Sequence, residues 1–282
     1  MNIFSNYSKT AFLLGALSAL LILIAYLFGG DASIIPMLLI SVSLNLAIYF
    51  YSDRVAIASA KAKKAQRSQF KDLYRSMEKL SVAFDIPTPE LYISPERTPN
   101  AFATGRNPSN AVVCLTQGLI DTLPLQEIEG VIAHEMSHIK NRDTLIATMA
   151  AVIASIVSTI PRMAIWFGSG SRDNDSSDGI AQLITIILAP FLAMLLQLAI
   201  TRSREYSADE MAARNMGSAL PLAHALRTIS TSTNSSPTLR QDPVFASLYI
   251  SSPKQKQNKL SEIFSTHLPT EKRIERLMSL QF

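Results

Sequence analysis

Charge is missing from long parts of this chain. Residues 10–30, 32–52 and 179–201 contain no acidic, basic or histidine side chain, and each run is close to the ~20 residues a helix needs to cross hydrocarbon. A fourth run, 144–167, is charge-free as far as Ile160 and then meets Pro161 and Arg162, which predicts a kink or an end near the interface. Any one run could be a buried helix of a soluble protein. Four of them in 282 residues, with 48% of side chains apolar and 17% charged, leave too little polar surface to cover them. The first run follows Lys9 as a signal peptide would, but it is longer than a typical apolar signal core and a second run follows after only Asp31. A membrane hairpin is therefore predicted.

Basic residues orient the chain. Arg54, Lys61, Lys63, Lys64, Arg67 and Lys71 follow the second run, and Arg202 and Arg204 follow the last, so those sides are expected to be cytoplasmic. The loop of the first hairpin has no Lys or Arg, and GSGSRDNDSSDG in the second sets Arg172 against Asp173, Asp175 and Asp178. Both loops read as outside, which leaves both termini cytoplasmic. The net charge of +4 then reflects topology. No module with interleaved basic and aromatic residues points to nucleic acid.

Between the hairpins, residues 56–84 mix charged and apolar residues at helical spacing, with Leu73, Met77 and Leu80 on one stripe. IPTPELYIS closes that helix with two prolines and can form a strand over Glu90–Ser94. TPNAFATGRNPSNAVVCLT reads as strand, turn, strand, and its lone Cys114 as a small core side chain. A small sheet thus precedes a helix expected to start near Pro124 and run to about Lys140. After the last run, residues 202–225 read as helical, residues 231–243 and 251–259 as loops, and EKRIERLM as a short amphipathic helix. The expected organisation is a transmembrane hairpin over 1–52, the first part of a cytoplasmic catalytic domain over 53–143, a second hairpin over 144–201 and the rest of that domain over 202–282.

The chemistry is concentrated in AHEMSH. Residues i and i+4 of a helix share one face, so His134 and His138 can present two imidazoles to one ion, with Glu135 beside them. This is the H-E-x-x-H arrangement, in which two neutral histidines bind zinc and the carboxylate acts as general base on water. A catalytic site needs a third ligand, which can be His, Asp or Glu. The extended zincin pattern would require Gly at 141 and His at 144, and the chain has Asn141 and Thr144. The third ligand must therefore come from further along. The last two runs return the chain to the same face at SREYSADE, where Glu205 and Asp209 again stand four apart, one able to ligate and the other to buttress a histidine. His224, in the apolar LPLAHAL, and His267, in FSTHLPTEKRI, compete for a role. His224 reads as a core or surface histidine, and His267 as a residue able to reach the site and polarise a carbonyl.

NAFATG, HEMSH, SREYSADE and THLPTEKRI in this order, with two apolar runs between the second and third, resemble the HtpX family of membrane-bound zinc endopeptidases, related to the CAAX prenyl proteases. The likeness covers nearly the whole chain. It implies a mainly α membrane protein with four transmembrane helices and a zincin-like α+β cytoplasmic catalytic domain with a small sheet. It also implies one zinc ion (Zn2+) per chain on His134, His138 and Glu205, with Glu135 as catalytic acid and base. Asp209 matches the family's acidic position one turn after the glutamate ligand. Asn100, Ala101, Phe102, Ala103, Thr104 and Gly105 match the edge strand beside the cleft. The family usually follows the late histidine with two prolines, whereas Leu268 and Pro269 follow His267 here. The resemblance further implies a multi-pass protein of the bacterial inner membrane that cleaves cytoplasmic segments of damaged or unfolded membrane proteins. The competing expectation from the residues is a membrane-anchored zinc-binding scaffold without turnover.

Overall fold

Helices α1 (Ile3–Gly29) and α2 (Ile34–Ser59) fold back on each other through a turn at Asp31–Ser33. The computed structural model describes residues 3–168, 202–235, 250 and 270–281. Both helices are long and apolar enough to cross a membrane, over Ser8–Leu27 and Asp31–Ser59. Their outer surface carries thirteen of the seventeen exposed large apolar side chains among the described residues, Ile35, Leu39 and Leu46 among them. That is a surface for lipid, since in water it would form an apolar patch of unusual size. Between the helices, Asn45 donates from Nδ2 to Ser18 Oγ at 2.8 Å and to the Leu14 carbonyl at 3.2 Å.

The expected long helix over 56–84 is instead divided. Helix α2 ends at Ser59, Lys61 takes a left-handed conformation with φ 50°, and the chain adds a short strand β1 (Lys63–Lys64) before α3 (Lys71–Phe84). The apolar stripe is real, because Leu73, Met77 and Leu80 are buried. The periodicity was continuous in composition while the backbone between the two helices was not.

Strands β2 (Glu90–Ser94), β3 (Ala101–Gly105) and β4 (Ala111–Thr116) complete a mixed sheet in the order β1-β2-β4-β3. β2 runs parallel to β4, and β3 pairs antiparallel with β4 in the register Phe102↔Cys114. β3 is an edge. Both faces of the sheet are covered, and alternation along the strands sorts their side chains. Ala101, Ala103, Val113 and Leu115 join one apolar core with α3 and the helices after the sheet, while Phe102 and Cys114 join a second with α1, α2 and α6 (Asp143–Gly168). Coverage on both sides explains why AVVCLT reads as an unbroken apolar run. Burial pushes the Cys114 thiol up to about 12, so it serves as a core side chain.

A short helix α4 (Gln117–Thr122) leads to α5 (Leu125–Asn141), which starts directly after Pro124 and stops where Arg142 turns left-handed at φ 59°. Helix α6 follows at once and continues through Pro161; it does not end there. Helices α7 (Arg202–Met216) and α8 (Leu220–Ser235) replace the single helix expected over 202–225, with Gly217 at φ 70° between them. A final helix α9 (Thr270–Met278) matches the amphipathic EKRIERLM. α8 lies hard against α5. A Cβ on Gly130 would meet the Leu222 backbone nitrogen at 2.6 Å, so the glycine before the motif sets that close approach. The run 179–201, the loop 251–259 and His267 lie outside the described residues.

Candidate metal centre and active site

Helix α5 carries His134, Glu135 and His138 on a buried segment, and α7 packs alongside so that Glu205 and Asp209 face it. Three ligating atoms, one each from His134, His138 and Glu205, lie within 4.8 Å of one another. The two Nε2 atoms are 3.2 Å apart, and Glu205 oxygens stand 3.6 Å from His134 Nε2 and 3.5 Å from His138 Nε2.

The protonation pattern follows from what surrounds the rings. Asp209 Oδ1 is 2.9 Å from His134 Nδ1, and Asp143 Oδ2 is 3.3 Å from His138 Nδ1. A carboxylate only accepts, so each ring turns a protonated Nδ1 outward and a lone pair on Nε2 inward. Two ring nitrogens able to offer lone pairs and a carboxylate then converge, an arrangement suited to a cation. Its edges are close to the ~3.3 Å between donors around a tetrahedral zinc with Zn–N of ~2.0–2.1 Å. The donor set fits.

Charge surrounds this cluster, and Arg273 pairs with two of its carboxylates. Arg273 of α9, 3% exposed, donates to Asp209 from Nε at 2.9 Å and from Nη2 at 2.7 Å, and its Nη1 is 3.5 Å from Glu205. Burial alone would raise the Asp209 carboxyl; Arg273 and His134 more than reverse this and hold it well below the usual range. Glu205 is likewise lowered, the opposing effect of burial being outweighed by His138, Arg273 and His134. Glu135 goes the other way. Its burial dominates and raises its pKa although both histidines pull it down. That is the direction a proton-accepting and proton-returning carboxylate needs. Burial lowers the His138 pKa, but its hydrogen bond to Asp143 and the carboxylates of Glu205 and Glu135 outweigh that and leave it raised. The exposed edge of the cluster lies at Glu205 and His138, whose side chains keep 18% and 15% of their surface, against 1% for His134.

The edge strand runs past this cluster. Ala101, Ala103 and Gly105 direct their backbone groups away from β4: the Ala103 N–H bonds to Glu135, the Ile250 N–H donates to the Ala101 carbonyl at 3.1 Å, and Thr144 Oγ1 donates to the Gly105 carbonyl at 3.0 Å. The Ala103 carbonyl points away from β4 between the last two. Ile250 is tied in at its other end, where its carbonyl accepts from Arg273 Nη1 at 3.3 Å.

Comparison with known proteins decides what kind of site this is. The family model described as Peptidase family M48 matches residues 67–281. The chain belongs to peptidase family M48. Proteins named protease HtpX homolog from Thermococcus sibiricus and Pyrococcus abyssi are 42% and 44% identical to it, each over 96% of this chain and 95% of its relative. The one from Syntrophobacter fumaroxidans is 42% identical over 96% of this chain and 98% of its own length. The crystal structure of S. mikatae Ste24p shares the fold with a TM-score of 0.52 at 17% identity, covering 98% of this chain and 66% of that one. The expected resemblance is thus borne out, and the protein is a membrane-bound metalloprotease, a hydrolase of peptide bonds with a metal cofactor.

Sequence reasoning brought His134, Glu135, His138, Glu205 and Asp209 to one place, and the structure holds them together. His224 is exposed on α8, in keeping with its plainer reading. Three participants are not singled out by the sequence reading: Asp143, Arg273, and Arg204, which enters above only as a mark of topology. The acid directly after the motif helix and the arginine directly before Glu205 were the available signals.

Proposed function

We propose that the chain is a zinc endopeptidase of the cytoplasmic membrane that cuts exposed cytoplasmic segments of misfolded or damaged membrane proteins, with one zinc per chain on His134, His138 and Glu205. The observation that carries this is the convergence of two Nε2 lone pairs and a carboxylate beside the buried Glu135. When bound, zinc supplies Lewis acidity toward the scissile carbonyl and acidifies water. Glu135 accepts the proton of the attacking water and returns it to the leaving nitrogen, a role its raised pKa supports. Asp209, held by Arg273, keeps His134 in the tautomer that offers Nε2. His267 is proposed as a donor to the developing oxyanion; it precedes α9, whose Arg273 reaches the site.

Substrate is proposed to pair along Asn100, Ala101, Phe102, Ala103, Thr104 and Gly105, centred on the Ala103 carbonyl. Backbone pairing of this kind tolerates many side chains and suits unfolded segments. Four transmembrane helices divide the chain at 1–52, 53–143, 144–201 and 202–282, with the catalytic parts and both termini cytoplasmic as the basic residues indicate, in what corresponds to a bacterial inner membrane. The apolar exterior of α1 and α2 supports the first hairpin. The test is cleavage of casein by detergent-purified chain, metal-stripped and refilled with zinc, beside Glu135→Gln. Zinc-dependent cleavage by wild type alone is expected. Tight zinc binding without cleavage by either would favour the non-catalytic scaffold.

A further inference from the structure

The two histidines are supported in the same way by different parts of the chain. His134 leans on Asp209, and Asp209 on Arg273. His138 leans on Asp143 at 3.3 Å, and Asp143 Oδ1 is 3.3 Å from Arg204 Nε, while Arg204 Nη2 also donates to the Asp143 carbonyl at 3.1 Å. Asp143 and Arg204 are almost fully buried, at 1% and 3% exposure. Their places in the chain matter. Asp143 is the first residue of α6, just past the left-handed Arg142 that ends α5, and Arg204 directly precedes Glu205 near the start of α7.

We propose that Asp143 and Arg204 are positioning residues of the metal centre: together they fix the His138 ring with Nε2 inward and hold the first turn of α7 so that Glu205 meets it. A histidine whose Nδ1 has no fixed acceptor can turn over or change tautomer, and either would withdraw the Nε2 lone pair from the cluster. A carboxylate at Nδ1 prevents both. Asp143 is itself held at two points, side-chain oxygen and main-chain carbonyl, by one planar guanidinium. Because that guanidinium belongs to α7, one link joins the ligand from α5 to the ligand from α7. The link also sits at the root of α6, so any shift of that apolar helix against the catalytic core reaches His138 through Asp143. The Arg273 link lies elsewhere, between α7 and α9, and leaves His138 untouched.

This inference rests on the metal reading above, and the experiment separates the two. Zinc affinity, by competition with a chelator, and the melting temperature of the metal-free chain are measured for wild type, Asp143→Asn and Arg204→Lys, with kcat and KM on casein. Asp143→Asn is expected to bind zinc about 10–100-fold more weakly and to lose kcat, with KM little changed because the defect lies in the metal ligands. Arg204→Lys keeps the charge but cannot span both contacts, and is expected to show a smaller loss of the same kind. A variant that melts lower yet binds zinc as wild type does would overturn the proposal and leave a purely structural tie. If Asp143→Asn does not fold, wild-type affinity in Arg204→Lys overturns it equally. Failure of wild type to bind zinc at all would instead overturn the metal reading beneath it.

Discussion

The hairpin of α1 and α2 and the core around α5 solve opposite problems. The hairpin turns Ile35, Leu39 and Leu46 outward, and the polar side chains it buries, Thr10, Ser41 and Ser52, are small and uncharged. The core buries His134, Glu135, Asp143, Arg204, Asp209 and Arg273 and surrounds them with apolar side chains. In lipid, the outward leucines cost nothing and contribute nothing specific, because the solvent is as apolar as they are. In the core a buried charge is expensive alone, and Asp143 with Arg204 and Asp209 with Arg273 are held as ion pairs. Precision is therefore concentrated where charge is buried, and that is where substitutions should be felt most.

The largest effect is expected at Arg273. Arg273→Met leaves Asp209 buried without its partner and should cost about 3–5 kcal/mol, read as a lowered melting temperature in detergent. Its pH dependence has a definite sign. Asp209 is depressed in the fold, so the stability it contributes is complete above its unfolded value of about 3.9 and is lost only as pH falls through the lower folded value. Without Arg273, burial raises that carboxyl. The deficit of the variant should hold steady near neutral pH and narrow as pH falls through the carboxylate range. A deficit that widened in acid would break the pairing argument.

A matched pair of truncations sharpens the contrast. Leu222 is fully buried against α5 and Leu46 is 56% exposed on α2. Leu222→Ala should cost about 2–5 kcal/mol, and Leu46→Ala no more than about 0.5 kcal/mol, as for a surface change. Equal losses would mean that the outer face of the hairpin is covered by protein. The smallest effect belongs to Asn45. Its Nδ2 makes two hydrogen bonds, but its Oδ1 has no partner among the described residues. Asn45→Leu should lower stability by about 0.6 kcal/mol and leave cleavage of casein unchanged.

The same contrast explains what could be read from sequence. Lipid-facing helices are a matter of composition, so two of the four apolar runs were legible as spans without any contact being known. The motif helix and Asp209 were legible because i and i+4 fall on one face. Asp143 was not, since it stands five residues after His138 beyond a left-handed break at Arg142, where helical spacing no longer predicts position. Arg273 lies 64 residues from Asp209 along the chain, and only the packing of α9 brings them together. The division of 56–84 into two helices was hidden for a related reason: a single left-handed Lys61 leaves no mark in an apolar pattern.

Whether Glu205 completes a three-ligand site while Glu135 performs chemistry without holding the metal is read from zinc content. Wild type, Glu135→Gln and Glu205→Gln would be stripped, refilled and desalted together, and zinc per chain counted. One zinc is expected in wild type and in Glu135→Gln and almost none in Glu205→Gln. Full zinc in Glu205→Gln, or its loss from Glu135→Gln, would contradict that assignment.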